Sequence, residues 1–193
     1  MTATFLLWLA VVTGGVMQAT QPLSLHVRVF RGQAEVTKET TVTVFPAGVR
    51  VNGQPAPLVA GAERRLPLAS GQYDLQLVQE QDGKVNGIAW TTLRLLVDYP
   101  GEGGRHLEVL NFEKDWGAFQ IRAQGPHQSG PVGWRARLLR KDGSEVARGV
   151  DGDGYQLVVA PAGTYDLVID GAAAPVRMAD VEVKANLTYV KTF

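Results

Sequence analysis

The chain has 193 residues, 45% of them apolar, and its 19 lysines and arginines balance 19 aspartates and glutamates. That is enough apolar material for one ordinary domain or two small ones and excludes wholesale disorder, while the balanced charge shows no overall basic excess of the kind that nucleic acid or an anionic membrane selects. With no cysteine, disulfides, thiolate nucleophiles and Cys-held metals are excluded as well.

At the N-terminus an apolar run from Phe5 to Val12 is followed by small and polar residues up to Ala19 and Thr20. The run is too short to span a bilayer as a helix, and Ala19 suits a cleavage site, although no Lys or Arg precedes the run. Residues 1–19 are therefore expected to be a secretory signal helix. Left uncleaved, the same segment would be a membrane tether.

From Leu23 the pattern has period two. In LSLHVRVF, Leu23, Leu25, Val27 and Val29 share one face and Ser24, His26, Arg28 and Phe30 the other, which predicts a half-buried strand. TTVTVF repeats the pattern through Val42 and Val44, and FPAG ends it. VNGQPAP is a turn region in which Pro55 and Pro57 rule out a central strand. RRLPL and YDLQLVQ follow, separated by Ser70–Gly71, and Asp82–Gly83 is the expected reversal of a hairpin. WTTLRLLV would bury Leu93, Leu95 and Val97; after the loop DYPGEGG, RHLEVLNF is a further strand.

The second half reads the same way. AFQIRA alternates through Phe119, Ile121 and Ala123, and GWRARLLR turns Trp134, Ala136 and Leu138 inward with Arg135 and Arg137 outward. Lys141–Asp142–Gly143–Ser144 is a hairpin turn; YQLVV, TYDLVI, ADVEVK and LTYVKTF complete the chain. No window carries helical periodicity with caps, so the chain is expected to be all-β.

One phrase occurs twice, as ASGQYDL at residues 69–75 and as PAGTYDL at 161–167. Around it the halves align in order: VTVFPAG with ARLLRKDG, RLPLASGQYDL with QLVVAPAGTYDL, LRLLV with DVEVK, and HLEVLNF with LTYVKTF. Phe112 and Phe193 close the two copies. Duplication of one unit accounts for the length and the turn spacing. The expected units are residues 22–113 and 117–193, joined through EKDWG at 113–117.

A strand, a KDG turn, a strand, PAGTYDLVI and a V-x-V strand together resemble the prealbumin-like (Ig-like) sandwiches called carboxypeptidase regulatory-like or Cna protein B-type domains, and the LPAGTY repeats of bacterial surface proteins. The resemblance is closest in the second copy. It implies two tandem β-sandwiches and a role as a spacer, stalk or accessory module: an exported, extracytoplasmic (periplasmic or secreted), non-catalytic protein whose partner is an envelope or surface protein. Some Cna protein B-type domains carry a lysine–asparagine cross-link. Asn111 and Asn186 lie near the closing strands, but the opening strands LHVRVF and AFQIRA contain no lysine, so the cross-link is expected to be absent.

Chemistry is sparse. His26 and His106 fall on strands, on faces read as outward or marginal, and His127 in the loop QGPHQSGP. No nucleophile elbow, zinc-protease motif or phosphate-cradling loop occurs, so neither an enzyme nor a cofactor is expected. Asp151 and Asp153 in DGDG alternate as calcium ligands do, yet Tyr155 stands where a third ligand belongs, and turn chemistry explains the pair. The binding candidates, for a glycan or a partner, are Trp90, Thr92 and Arg94, which share one strand face, and Trp116 in the linker. An aromatic ring beside hydrogen-bond donors suits a sugar face, which makes a carbohydrate-binding or cell-wall glycan-binding module the alternative reading. Trp116 equally suits a pin between the two domains.

Overall fold

A computed structural model describes residues 23–48, 59–61, 65–68, 70–95, 105–123, 133–152, 154–171 and 175–193. The expected signal segment, the VNGQPAP turn, Val97, His127 and Asp153 lie outside the described residues. Among the described residues sixteen strands follow in chain order. The first half contains β1 (Leu23–Arg31), β2 (Ala34–Glu35), β3 (Thr40–Pro46), β4 (Val59–Gly61), β5 (Arg65–Leu68), β6 (Gly71–Gln81), β7 (Lys84–Leu95) and β8 (Arg105–Asn111). The second contains β9 (Trp116–Arg122), β10 (Arg135–Leu139), β11 (Glu145–Arg148), β12 (Val150–Asp151), β13 (Tyr155–Pro161), β14 (Gly163–Asp170), β15 (Val176–Val183) and β16 (Thr188–Thr192). Thr37–Glu39 forms a single 3₁₀ turn.

The strands form two β-sandwiches in tandem. In the first, sheet A joins β1 to β2, β5 and β8, and sheet B runs β4-β3-β6-β7. In the second, sheet C runs β12-β13-β9-β16 and sheet D runs β11-β10-β14-β15. Each half opens on a strand whose last partner is a parallel one: β8 on β1 and β16 on β9. Sheets B and D repeat the same order, with β3, β4, β6 and β7 answered by β10, β11, β14 and β15. This is the duplication seen in the sequence, expressed as topology.

The twice-written phrase has a shared geometry. Gly71 and Gly163 open β6 and β14, and the tyrosine two residues on folds its ring back over the glycine. A side chain at Gly163 would come within 2.9 Å of the Tyr165 hydroxyl, and one at Gly71 within 3.5 Å of the Tyr73 hydroxyl. Tyr165 also donates to the carbonyl of Pro161 at 3.0 Å, tying the strand to the turn before it. The β6–β7 hairpin reverses at Asp82 and Gly83, with φ 53° and 73°, the left-handed pair that matches the twist of its strands. Pro67 lies in β5, which pairs only with β1 among the described residues, an edge position where no ladder donor is needed.

Within each sandwich the alternation works as expected. Leu25, Val27, Val29, Val42, Val44, Leu75, Leu77 and Leu93 fill the space between sheets A and B. Phe119, Ile121, Leu138, Val158, Leu167 and Ile169 fill that between C and D, with Trp134 packed against them. Each such side chain contributes roughly 1.5–3 kcal/mol of burial.

The reading of β1 as half-buried needs correction. Phe30 is 1% exposed and Arg28 7%, because the outer face of sheet A is covered by the outer face of sheet C. Phe30 and Leu107 from the first half pack with Ala118, Tyr155, Leu157 and Val159 from the second, flanked by Val109 and Trp116. The molecule is thus a stack of four sheets in the order B, A, C, D with three apolar layers between them. A short turn over residues 112–115 carries the chain from one sandwich to the next.

Candidate functional site

Trp90, Thr92 and Arg94 alternate along β7 with Leu93, whose side chain enters the core, so they lie on the outer face of sheet B. Cross-strand pairing completes that face. Trp90 stands opposite Gln76, itself opposite Thr43, and Thr92 opposite Asp74, itself opposite Phe45. The Trp90 and Phe45 rings are 5.5 Å apart at a 34° tilt. Thr92 donates its hydroxyl to Asp74 Oδ1 at 2.8 Å, and Asp74 Oδ2 accepts the Gly48 amide at 2.8 Å. Arg94 is exposed beside Gln72. The face is therefore an aromatic pair beside a threonine and an arginine, organised by Asp74, which is only 3% exposed. Sequence reasoning missed Phe45 and Asp74, which become neighbours of β7 only through sheet pairing.

Trp116 stands apart from that face. It begins β9 and lays its ring over Gly32, where a side chain would come within 3.5 Å of it. Gly32 has φ 59° and is held by Asn111, whose Oδ1 accepts the Gly32 amide at 3.0 Å and whose Nδ2 donates to the Gly32 carbonyl at 2.9 Å. Asn186 serves the same linker by donating to the Lys114 carbonyl at 3.2 Å.

On one side of the stack the halves meet through polar groups. Arg28 donates from Nε and Nη2 to the two Glu35 oxygens at 3.1 and 2.6 Å and from Nη1 to the Asp151 carbonyl at 3.5 Å. Burial works against the Arg28 charge, but hydrogen bonding to Glu35 and the neighbouring Tyr155 outweigh it, so the guanidinium holds its proton more tightly than usual. The Asp151 carboxylate, a calcium candidate, accepts from Gln156 Nε2 at 2.9 Å. Among the described residues no group of three or more His, Asp or Glu is placed to hold a metal ion. His106, read as outward or marginal, is 6% exposed and donates to Glu108 Oε2 at 2.9 Å. Its buried position follows from β8 lying under sheet B, where Leu110 and Phe112 on the same strand face pack on the first core.

On the other side the edges of β7 and β8 border a cleft of about 440 Å³. Ile88 and Trp90 line it from sheet B, Val109 and Phe112 from sheet A and the linker, and Trp116 and Leu187 from the second sandwich. The two tryptophans picked from the sequence thus line the same cleft from opposite sides. Ile88 and Leu187 are 59% and 58% exposed. Among the described residues no helix is long and apolar enough to cross a membrane.

No family model matches this chain, and no curated protein matches it. Several solved structures are similar. The Bacillus anthracis TIE protein aligns at 15% identity and a TM-score of 0.32 over 88% of this chain, which spans 33% of that chain. GBS52, the minor pilin of Streptococcus agalactiae, aligns at 12% identity and a TM-score of 0.29, covering 89% of this chain and 94% of that one. The family CBM26 protein CBMbc from Eubacterium rectale Amy13K, solved with maltoheptaose, aligns at 13% identity and a TM-score of 0.25, covering 89% and 92%.

Proposed function

We propose that this chain is an exported, non-catalytic pair of sandwich domains, residues 22–113 and 117–193 behind a signal at 1–19, serving as a structural or protein-interaction module at a bacterial envelope. The observation that carries this reading is the docking of sheet A on sheet C. Across it Phe30 and Leu107 pack with Tyr155 and Leu157, and Arg28 reaches the Asp151 carbonyl of the second sandwich at 3.5 Å. What the stack offers outward is open strand edges and the exposed apolar side chains beside them, Ile88 and Leu187. Such edges and patches suit contact with another protein. The test has two arms. Residues 1–22 fused to an alkaline phosphatase that is active only after export should give phosphatase activity. A photo-crosslinking residue scanned over the surface in the native host should yield one discrete protein adduct. Cytoplasmic retention, or adducts to no protein at any position, contradicts the reading.

The alternative, a cell-wall glycan as ligand, is favoured by one feature: the Trp90–Phe45 pair beside Thr92 and Arg94 on the outer face of sheet B. A glycan array, or tryptophan fluorescence titrated with cell-wall fragments, responds under this reading and stays flat under the first.

A further inference from the structure

Sheet A is one strand narrower than its neighbours. Phe30 pairs with Glu35 of β2 and with Asn111 of β8, and Leu25 with Leu66 of β5 and with His106 of β8, so β2 and β5 share one side of β1 and β8 takes the other. Among the described residues that makes A three strands wide, whereas B, C and D each run four across. Among the described residues no strand lies on the outer side of β8. The Phe112 amide donates to the Phe30 carbonyl at 2.9 Å, toward β1. Alternation then turns the backbone groups of Leu107, Val109 and Asn111 the other way, toward open space.

The cleft occupies that same outer side of β8. Its upper wall is the edge of sheet B, with Ile88 and Trp90, and its lower wall is the second sandwich, with Trp116 and Leu187. It is continuous with the layer that joins the two sandwiches, since Val109, Trp116 and Val159 belong to both. Lys114 lines the cleft near Asn111 and makes no ion pair among the described residues, whereas the Glu108 carboxylate is occupied by His106.

We infer that β8 receives an extended peptide segment of a partner protein as the missing strand of sheet A. Backbone amides of the segment bond Leu107, Val109 and Asn111. Its side chains alternate in direction, as strand geometry requires. One set packs toward Ala89 and Phe112, extending the core of the first sandwich with Ile88 at the rim, and the other toward Trp116 and Leu187, extending the layer between sandwiches. An acidic residue near the Asn111 end meets Lys114. The partner segment is therefore apolar on both faces with a carboxylate at one end. This inference rests on the protein-interaction reading above and names its site.

The test is selection of random decapeptides displayed on phage against the full chain, followed by hydrogen exchange with the winning peptide made synthetically. Leu107, Val109 and Asn111 amides should exchange rapidly in the chain alone and become protected with peptide. Ile88→Glu and Leu187→Glu, both at exposed positions, should each weaken binding by about tenfold or more, and Lys114→Glu should weaken peptides carrying the carboxylate while sparing their neutral versions. Four results overturn the inference: no selected peptide; protection of these amides without peptide, which means the edge is already covered by the chain itself; concentration-dependent dimerisation abolished by Ile88→Glu, which makes a second copy the occupant; or protection by the peptide at another strand. The last would leave the interaction role intact while removing this site, so the two readings fail separately.

Discussion

Asn111 grips Gly32 at both ends of its side-chain amide, accepting from the Gly32 nitrogen at 3.0 Å and donating to the Gly32 oxygen at 2.9 Å. The pair joins the end of β8 to the turn after β1, and Trp116 of the second sandwich closes over it. Asn111 Oδ1 also accepts the Glu113 amide at 2.9 Å, fixing the start of the linker. Asn111→Ala leaves three backbone groups to find water and should cost about 2 kcal/mol, at roughly 1 kcal/mol per lost hydrogen bond with partial rescue by solvent. Chemical denaturation of the two proteins checks this; a difference below about 0.5 kcal/mol contradicts it.

The two copies of the repeated phrase respond differently to the same change. Gly163→Ala pushes a methyl group to 2.9 Å from the buried Tyr165 hydroxyl and breaks its fit to Pro161, which should cost about 1–3 kcal/mol. Gly71→Ala meets Tyr73 at 3.5 Å, an ordinary contact, and should change stability by less than about 1 kcal/mol. Thermal melts of both variants settle the comparison, and equal losses would contradict it.

Much of this architecture was legible in the residues. Period-two runs such as Leu25-Val27-Val29 define strands because one face of a sandwich must be apolar, and the repeated Gly-x-Tyr-Asp-Leu announces a duplicated turn in which the tyrosine ring returns over the glycine, leaving no room for a side chain at Gly163. The second buried face of β1 was less visible. Arg28 looks solvated in isolation, and only Phe30 hints otherwise; their burial depends on sheet C, brought there by the linker. The candidate residues Trp90, Thr92 and Arg94 do share one face, but Phe45 and Asp74 join them through pairing between strands far apart in sequence. The cleft beside β8 is a difference in sheet width, which no local pattern encodes.

Ion pairs on the outer face of sheet D set a pH dependence. Lys141 bonds Asp166 and Asp180 at 2.7 and 2.8 Å, and Arg148 bonds Glu145 at 3.1 Å. Asp166 is held below the usual carboxylate range first by Lys141 and then by the Asp180 amide, Glu145 first by Arg148, and Asp142 by the Ser144 hydroxyl and amide. A depressed carboxylate stabilises fully above its unfolded value near 4, and its contribution is lost as pH falls through the lower folded value. Lys141 is raised, first by Asp166, so its contribution is present below about 10.4 and lost as pH climbs through the raised value. The melting temperature should be level between about pH 5 and 10 and fall below about 4. Asp166→Asn should lower the plateau slightly and flatten the acid limb, an effect that shrinks in high salt because these groups are exposed. An unchanged acid limb contradicts the assignment.

On the outer face of sheet B, stability and ligand binding separate. Thr92→Val removes the hydroxyl that Asp74 accepts and should cost about 1–2 kcal/mol, since the Asp74 carboxylate is buried. Arg94→Ala, at an exposed position, should leave the melt within about 0.5 kcal/mol. If a glycan binds this face, Arg94→Ala weakens it at constant stability. If the protein-interaction reading holds, glycan binding is absent before and after.

Leu157 lies in the layer shared by sheets A and C, fully buried beside Phe30 and Leu107. Leu157→Ala should cost about 2–5 kcal/mol, and because the layer belongs to both sandwiches the loss should reach both. The most direct measurement is hydrogen exchange of the Leu157→Ala chain against the parent. Faster exchange in β1 and β8 of the first sandwich as well as in β9 and β13 of the second is the expected result. Acceleration confined to the second sandwich, with β1 and β8 unchanged, would contradict a four-sheet stack.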